Sequence, residues 1–411
     1  MKFKDLADKK ILILGFGKEG KATREFLQMF VPTAAVSIAD QKDGSDYLAG
    51  LDRYDVVIKA PGIPKSLLSV PYTTATNIFF ANTKGYTIGV TGSKGKSTTA
   101  SLLYAILKKD GKNVHLVGNI GNPMLTALCK EQNSETVYVI ELSSYQLDDI
   151  LYSPRISLIT NEFPEHMDYH GCVESYWEAK ERIVARATRD DYLIYNSDYP
   201  RLVRLAKTTK AKAIPFVTEL PFDDTHIRLL GGHNRDNIRA AVTAAGLLNI
   251  PPATMAKTVA GFRGLPHRLE LVGTYHSISF YDDAISTTPE SAICAIESFP
   301  SVGAILLGGQ DRGYDFSRLG KLIAKRRIGT IVLFPDSGES IYRTIIDASY
   351  APAHVLRTDK MEEAVSFVYA HAPKDSVCLL SNASPSYSLW ENFEKKGDLF
   401  AQFVRKHSSG S

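Results

Sequence analysis

Cysteine is scarce in this chain of 411 residues: Cys129, Cys172, Cys294 and Cys378 lie far apart, with no pair at the spacing of a zinc site or a disulfide frame. They read as reduced thiols of a cytoplasmic protein. No apolar run approaches the roughly 18 residues of a membrane span. The first ten residues carry Lys2, Lys4, Asp5, Asp8, Lys9 and Lys10, too much charge for a secretory signal, and lead straight into a strand. Excess charge of one sign is missing as well. Lys+Arg 48 against Asp+Glu 45 leaves +3, too balanced for a dedicated nucleic-acid or polybasic membrane binder. Internal repeats and low-complexity tracts are absent, and only His407–Ser411 reads as a frayed tail. Membrane, secreted and fibrous classes are thereby excluded. What is left is a globular protein, 44% hydrophobic and 23% charged, long enough for two to four domains.

Short apolar runs alternate with helical patterns along most of the chain. The clearest strands are 11–14, 55–58, 86–90, 137–140, 156–159, 193–195, 304–307, 330–333 and 377–380, each rich in Ile, Leu or Val. Most run into Gly, Ser or Asn, as buried parallel strands feeding crossover helices do. The fold class is α/β. Glycine-bearing strand ends near residues 15, 92 and 308 predict three doubly wound domains: a Rossmann-like one over 1–84, a P-loop ATPase domain over 85–268 and a second Rossmann-like one over 269–411. The breaks are expected in Asn82–Gly85 and near Gly264–Arg268.

Two glycine clusters carry chemistry. Gly89-Val-Thr-Gly92-Ser-Lys-Gly95-Lys96-Ser97-Thr98-Thr99 follows a strand and opens a helix pattern over 100–109. Glycines there let backbone N–H groups face an anion, the helix N-terminus adds its positive end, Lys96 reaches the outer phosphates and Ser97 can ligate Mg²⁺. The first glycine of the usual G-x-x-x-x-G-K-S spacing would fall on Val90, so the loop departs from that form. A nucleoside triphosphate is the implied ligand. Gly15-Phe16-Gly17-Lys18-Glu19-Gly20 also joins a strand to a helix, with Asp40 at the end of the expected next strand. Alone it reads as an NAD site. Related Rossmann-like domains hold other diphosphates there, such as UDP-sugars, and a dehydrogenase has no evident use for a P-loop.

Taken together, these residues resemble the Mur ligases, which build the peptide stem of bacterial cell-wall precursors. Thr91–Thr98 looks like the family's ATP loop. Further matching segments are Lys59-Ala-Pro-Gly-Ile-Pro64, Gly118-Asn-Ile-Gly121, Glu141-Leu-Ser-Ser-Tyr-Gln-Leu147, Asn161-Glu-Phe-Pro-Glu-His-Met-Asp168, Ala179-Lys-Glu-Arg-Ile183, Gly232-His-Asn-Arg-Asp-Asn237, Gly264-Leu-Pro-His-Arg-Leu-Glu270, Leu307–Phe316 and Asn392-Phe-Glu-Lys-Lys-Gly397. They run in the family's order over essentially the whole chain. The phosphate loop is shared with folylpolyglutamate synthases, whereas the Glu141–Leu147 run and the Asn392–Gly397 segment are selective for the glutamate-adding branch.

The resemblance implies an ATP-driven amide bond in peptidoglycan precursor synthesis. The carboxylate of UDP-N-acetylmuramoyl-L-alanine would take the γ-phosphate, and the amine of glutamate, the D isomer first, would displace it from the acyl phosphate. It implies ATP-loop contacts from Gly92, Ser93, Lys94, Gly95, Lys96, Ser97 and Thr98. Asn119 would lie near the transferred phosphate, with two Mg²⁺ ions on Ser97, Glu141, His166 and Lys180, the last carbamylated by CO₂. A solvated helix lysine is the ordinary expectation for Lys180, on a helix predicted over 173–188. His233, Asn234 and Asn237 resemble the adenine-side segment, although Asn237 equally suits a structural role on an apolar helix. Arg268 would meet the γ-phosphate with a planar, permanent charge, and Asp283 the ribose. The UDP moiety would fall to Gly15, Phe16, Gly17, Asp40, Gln41, Pro61 and Gly62, and the amino acid to Thr287, Arg312, Ser386 and Phe393. Residues 286–290 read as a helix start with Thr287 as cap, Pro289 in the first turn and Glu290 three residues on. A monomer without nucleic-acid or membrane partners is expected.

Departures cluster where the amino acid would bind. The family's Asp-Ser-Lys-Ala-Thr-Asn is here Asp283-Ala-Ile-Ser-Thr-Thr288, Arg312 replaces a lysine, and Ala60 replaces the serine before Pro61-Gly62. These changes leave L-glutamate or another amino acid open, and a non-catalytic nucleotide binder is the remaining alternative. Arg312 keeps a positive charge, which favours an acidic substrate.

Overall fold

The Ile-, Leu- and Val-rich runs become strands because burial on both sheet faces suits them and the following small or polar residues turn the chain. In the computed structural model, which describes residues 1–129, 133–163, 165–229 and 231–408, they build three sheets. The expected tail lies partly outside the described residues. The first sheet has the order β2-β1-β3-β4 from β1 (Lys10–Leu14), β2 (Ala35–Ala39), β3 (Val56–Lys59) and β4 (Tyr72–Thr73), all parallel. The second has the order β10-β9-β8-β5-β7-β6 from β5 (Tyr86–Thr91), β6 (Val114–Gly118), β7 (Val137–Glu141), β8 (Ile156–Ile159), β9 (Tyr192–Tyr195) and β10 (Lys212–Pro215), again all parallel. The third, β11-β12-β16-β13-β14-β15, is built from β11 (Glu270–Tyr275), β12 (Ile278–Asp282), β13 (Ala304–Gly308), β14 (Thr330–Phe334), β15 (His354–Arg357) and β16 (Ser376–Leu380). Only β11 runs antiparallel to its neighbour. The α/β class and the three doubly wound sheets agree with the sequence reading.

The helices that serve the first two sheets are α1 (Lys18–Phe30), α2 (Ala75–Asn82), α3 (Lys96–Lys109), α4 (Met124–Leu128), α5 (Ser144–Asp148), α6 (Met167–His170), α7 (Val173–Glu181), α8 (Pro200–Thr208), α9 (Gly232–Leu247) and α10 (Pro252–Gly261). The third sheet carries α11 (Pro289–Glu297), α12 (Ser317–Arg326), α13 (Gly338–Asp347), α14 (Met361–His371) and α15 (Phe393–Ser408). The chain packs as two compact units. One, Met1–Ile227 with His233–Phe262, holds the first and second sheets; the other, Arg228–Gly232 with the chain from Arg263 onward, holds the third.

Within the first unit α4 packs on both α1 and α2. Met124, Leu125 and Leu128 thereby join Ile11, Phe26 and Phe79 in one apolar cluster that runs from the first sheet to the second. Phe79 also meets Tyr138 of β7 edge-on at 5.1 Å. In the second unit Ile296, Leu319 and Ile341 cover one face of the sheet, and Val365, Phe400 and Val404 the other.

Local departures from the sequence reading have physical causes. The helix expected over 173–188 ends as α at Glu181 and continues as a tighter turn over Arg182–Val184, which buries Ile183 and Val184. The helix after the P-loop begins at Lys96 rather than 100. The cap of α11 is Thr288, not Thr287: Pro289 takes the first helical position, so the capping partner becomes Ser291 rather than Glu290. The half-exposed edge strands β10 and β15 lack the apolar run that marks the central strands.

Candidate active site

The loop between β5 and α3 takes its shape from two glycines. Gly92 (φ +140°) lies so close to Thr160 that a Cβ would strike its hydroxyl, and Gly95 (φ +81°) would drive one into the Asn237 side chain. Lys96 folds back over the loop and donates to the carbonyls of Gly92 (2.9 Å) and Ser93 (2.7 Å). Thr98 and Thr99 are buried beneath it, and Thr99 donates to Asn237 Oδ1 at 3.3 Å. Asn237 Nδ2 in turn donates to Asn234 Oδ1 (2.9 Å), so both asparagines of α9 are seated against the loop. Ser93 is tied in rather than open: its hydroxyl donates to Phe163 O (2.6 Å) and accepts from Phe163 N (2.9 Å) and Tyr176 Oη (3.0 Å). Lys94 pairs with Glu165, and its backbone N–H donates to Asn161 Oδ1 at 2.8 Å. Ser97, half-buried, sits in the first turn of α3.

Lys180 is the surprise of this region, since α7 buries it to 2% exposure. Its Nζ donates to Gly92 O at 2.8 Å and stands 4.6 Å over the Tyr176 ring. Burial, and then the like charge of Lys96, hold the amine well below the ordinary lysine range, against the pull of Glu165 and Glu141. Glu141, at the end of β7, is 1% exposed; Asn119 Nδ2 donates to its Oε1 (2.9 Å), while Oε2 is buried without a hydrogen-bond partner. A buried carboxylate oxygen with no donor is what a hard cation requires, so the residues present fit Mg²⁺. His166 caps α6 at φ +57°, its ring 5.0 Å from Tyr145 and 6.4 Å from Tyr176. His170, which the sequence reading passed over, lies one turn on and shares a hydrogen bond with Ser144 Oγ (3.0 Å); burial lowers its pKa. Its signal was the spacing of four residues from His166.

In the first sheet Gly15 turns at φ +91°, and Asp40 closes the turn. The Asp40 carboxylate accepts from Phe16 N (2.6 Å) and Lys42 N (3.1 Å), two bonds that hold its pKa below the usual range. Gly17, Gln41 and Gly62 are exposed around it, and Pro61 O accepts from Tyr169 Oη of α6 at 3.3 Å. No local pattern marks the seam behind this turn. Lys59, fully buried, pairs with Asp149 at 2.7 Å, and Tyr72 Oη donates to the same carboxylate at 2.7 Å. Asn77 bridges to the backbone there, donating to Asp149 O (2.8 Å) and accepting from Leu151 N (2.9 Å).

The second unit holds Arg268, Asp283, Thr287, Arg312, Ser386 and Phe393. Asp283 is 3% exposed and fully engaged, accepting from Leu269 N (3.2 Å), Ser381 Oγ (2.8 Å) and Ser286 Oγ; burial pushes its carboxyl up to about 6. A ribose hydroxyl reaching it would displace one of those serines. Arg268 is close enough to lower that carboxyl. His267, beside Arg268, shares a 2.7 Å hydrogen bond with Asp282 and faces the Phe393 ring at 6.1 Å. Ser386 is buried, Thr287 half-buried, and Arg312 exposed with a 3.4 Å contact to Gln310.

A phosphate loop at the carboxyl end of a parallel sheet, with two lysines on one carbonyl and a buried lone carboxylate oxygen nearby, defines an α/β phosphate-binding protein with a cation-ready site. The Mur ligase middle domain matches residues 90–225. The chain is 31% identical over 422 residues to the UDP-N-acetylmuramoylalanine–D-glutamate ligase of Symbiobacterium thermophilum, covering 94% of this chain and 90% of that protein. It is also 31% identical over 454 residues to the UDP-N-acetylmuramoyl-L-alanine–L-glutamate ligase of a Micromonospora species, covering 98% of each. The structure of UDP-N-acetylmuramate–alanine ligase MurC from Thermotoga maritima shares the fold, with a TM-score of 0.63 at 17% identity over 98% of this chain and 100% of that one. The chain belongs to the Mur ligase family. Among the described residues no helix is long and apolar enough to cross a membrane.

Proposed function

We propose that this ligase uses ATP to join glutamate to UDP-N-acetylmuramoyl-L-alanine, with D-glutamate the first-choice substrate. The observation that carries this reading is the meeting of Lys96 and Lys180 on Gly92 O beside the unpartnered Glu141 Oε2. A carboxylate oxygen of the UDP-linked substrate attacks the γ-phosphorus of ATP and ADP leaves. The glutamate nitrogen then attacks the acyl carbon, phosphate leaves, and the nitrogen sheds its proton. Bringing anions together needs cations in a site shielded from water, and Lys96 supplies one by exchanging its loop carbonyls for phosphate oxygens. Mg²⁺, when bound, neutralises phosphate charge; Ser97, Glu141, His166 and Lys180 would hold two ions. Lys180 serves as a ligand only after carbamylation, and its uncharged amine is the form that can attack CO₂. Asn119 orients Glu141. Gly92–Thr98, Asn234, Asn237, Arg268 and Asp283 serve ATP; Gly15, Phe16, Gly17, Asp40, Gln41, Pro61 and Gly62 serve the UDP moiety. Thr287, Arg312, Ser386 and Phe393 are assigned to the amino acid.

A second reading, L-glutamate, is favoured by one set of residues: Ile285, Thr288 and Arg312 depart from the D-glutamate pattern, and a relative named for the L isomer aligns over 98% of the chain. ADP release with UDP-N-acetylmuramoyl-L-alanine, ATP and Mg²⁺, run side by side with each glutamate isomer, tests both. Turnover with D-glutamate alone supports the first reading, and turnover with L-glutamate alone the second. No turnover with either refutes both.

A further inference from the structure

Glu19 opens α1 directly behind the glycine turn assigned above to the substrate's diphosphate. A carboxylate is an odd neighbour for that group, since like charges raise each other's cost of ionisation. The residue is only half-buried, yet its carboxyl is out of water. The Gln146 side chain lies close enough to favour its charged form, and one oxygen, Oε1, is buried without a partner. With Gly15, Gly20, Thr23, Lys59 and Ala60, Glu19 lines a cavity of about 10 Å³, room for about one water.

Gln146 is itself fixed. Its Oε1 accepts from Ser143 N (3.0 Å) and Ser143 Oγ (3.2 Å), closing the cap of α5, so its amide nitrogen is the group left to serve Glu19. Ser143 stands two residues beyond Glu141. Gln146 and Ser143 thereby connect the glycine turn of the first sheet to the segment that directly follows Glu141 in the second. The charged groups facing Glu19 are already committed. Lys59 is paired with Asp149, which Tyr72 also bonds, and Lys18 on α1 donates to Gly121 O at 3.1 Å. Burial pushes the Glu19 carboxyl up to about 7, with Gln146 and Lys59 partly opposing.

We infer that Glu19 is a positioning residue that works as the neutral acid, and that filling the glycine turn with a diphosphate draws one proton from solvent onto its carboxylate. No other bond changes in that step: a carboxylate and a proton become a carboxylic acid, whose O–H supplies a donor where the unpartnered oxygen stands. The inference rests on the proposed assignment of the Gly15–Gly20 turn to the UDP substrate.

Calorimetric titration of the full chain with UDP-N-acetylmuramoyl-L-alanine, in two buffers of different ionisation heat, reads the proton directly. Net uptake approaching one proton per site at pH 8 is expected, with Kd weakening by about tenfold between pH 7 and 8.5. Glu19→Gln is permanently neutral and can still accept from Gln146, so its Kd is expected to be flat over that range with no uptake. Binding by the parent without proton uptake overturns the inference, as does a variant that keeps the parent's uptake and slope. A parent that binds ATP but not the UDP substrate overturns the assignment of the turn, and the inference with it.

Discussion

Lys96 and Lys180, from different helices, donate to one acceptor, the Gly92 carbonyl, at 2.9 and 2.8 Å. Two ammonium groups so close in a buried place oppose each other, and burial together with the Lys96 charge pushes the Lys180 amine well below the ordinary lysine range. Lys180→Ala is expected to lower ADP release roughly 10²–10³-fold. A carbamate carbon signal from carbon-13-labelled CO₂ is expected in the parent and absent in the variant. Because only the free amine reacts, that signal and the activity fall together as acid protonates Lys180. Full activity in carbonate-free buffer would rule the modification out.

Glu141→Gln keeps an acceptor for Asn119 but replaces the lone Oε2 with a donor. ADP release is expected to drop about 100-fold, with the Mg²⁺ requirement shifted upward. A Mg²⁺ titration that superimposes on the parent's would remove Glu141 from the metal site.

The Lys59–Asp149 pair is almost wholly out of water, at 0% and 2% side-chain exposure. Asp149→Ala strands the Lys59 charge and is expected to cost about 3–5 kcal/mol in urea unfolding. The double change Lys59→Met with Asp149→Leu should recover most of that loss. A single variant as stable as the parent would mean that the pair carries little of the seam.

Gly95→Ala forces a side chain into positive φ and into Asn237. The expected strain is about 1–3 kcal/mol, with loss of ATP-analogue binding, read by thermal melting and fluorescence titration. Normal affinity would show that the loop tolerates a rearranged Asn237.

Lys396 is fully buried near Asp282 and Asp283, and burial lowers its ammonium to about 7. The unfolded chain holds a proton on this lysine up to its ordinary value near 10.5, so between pH 7 and 9.5 the unfolded state binds more protons and stability rises with pH. Lys396→Met should flatten that rise in a series of melting curves. An unchanged slope would place its source elsewhere.

The fold was readable because apolar runs and glycine-bearing strand ends are local signals, and so was the P-loop with Lys96 and Ser97. Asn234 and Asn237 were readable as a motif, but that they prop Gly95 and Thr99 needed the chain folded. Lys180 looked solvated because periodicity over one helix cannot show what packs against it. The Lys59–Asp149 seam joins residues 90 positions apart, and Glu19 reads as one more helix-start acid until Gln146 is brought to it. The Thr288 cap was misread by one residue, since two adjacent threonines before a proline offer the same local chemistry.

The placement of α4 against α1 and α2 bears on how this protein can be cut and recombined. A fragment starting at residue 85 would turn Met124, Leu125 and Leu128 toward water, and one ending at 84 would do the same to Phe26 and Phe79. Neither piece inherits a closed interior. Grafting a foreign nucleotide-sugar module onto the second sheet would therefore mean recutting this shared apolar layer, not only rejoining the chain at a loop.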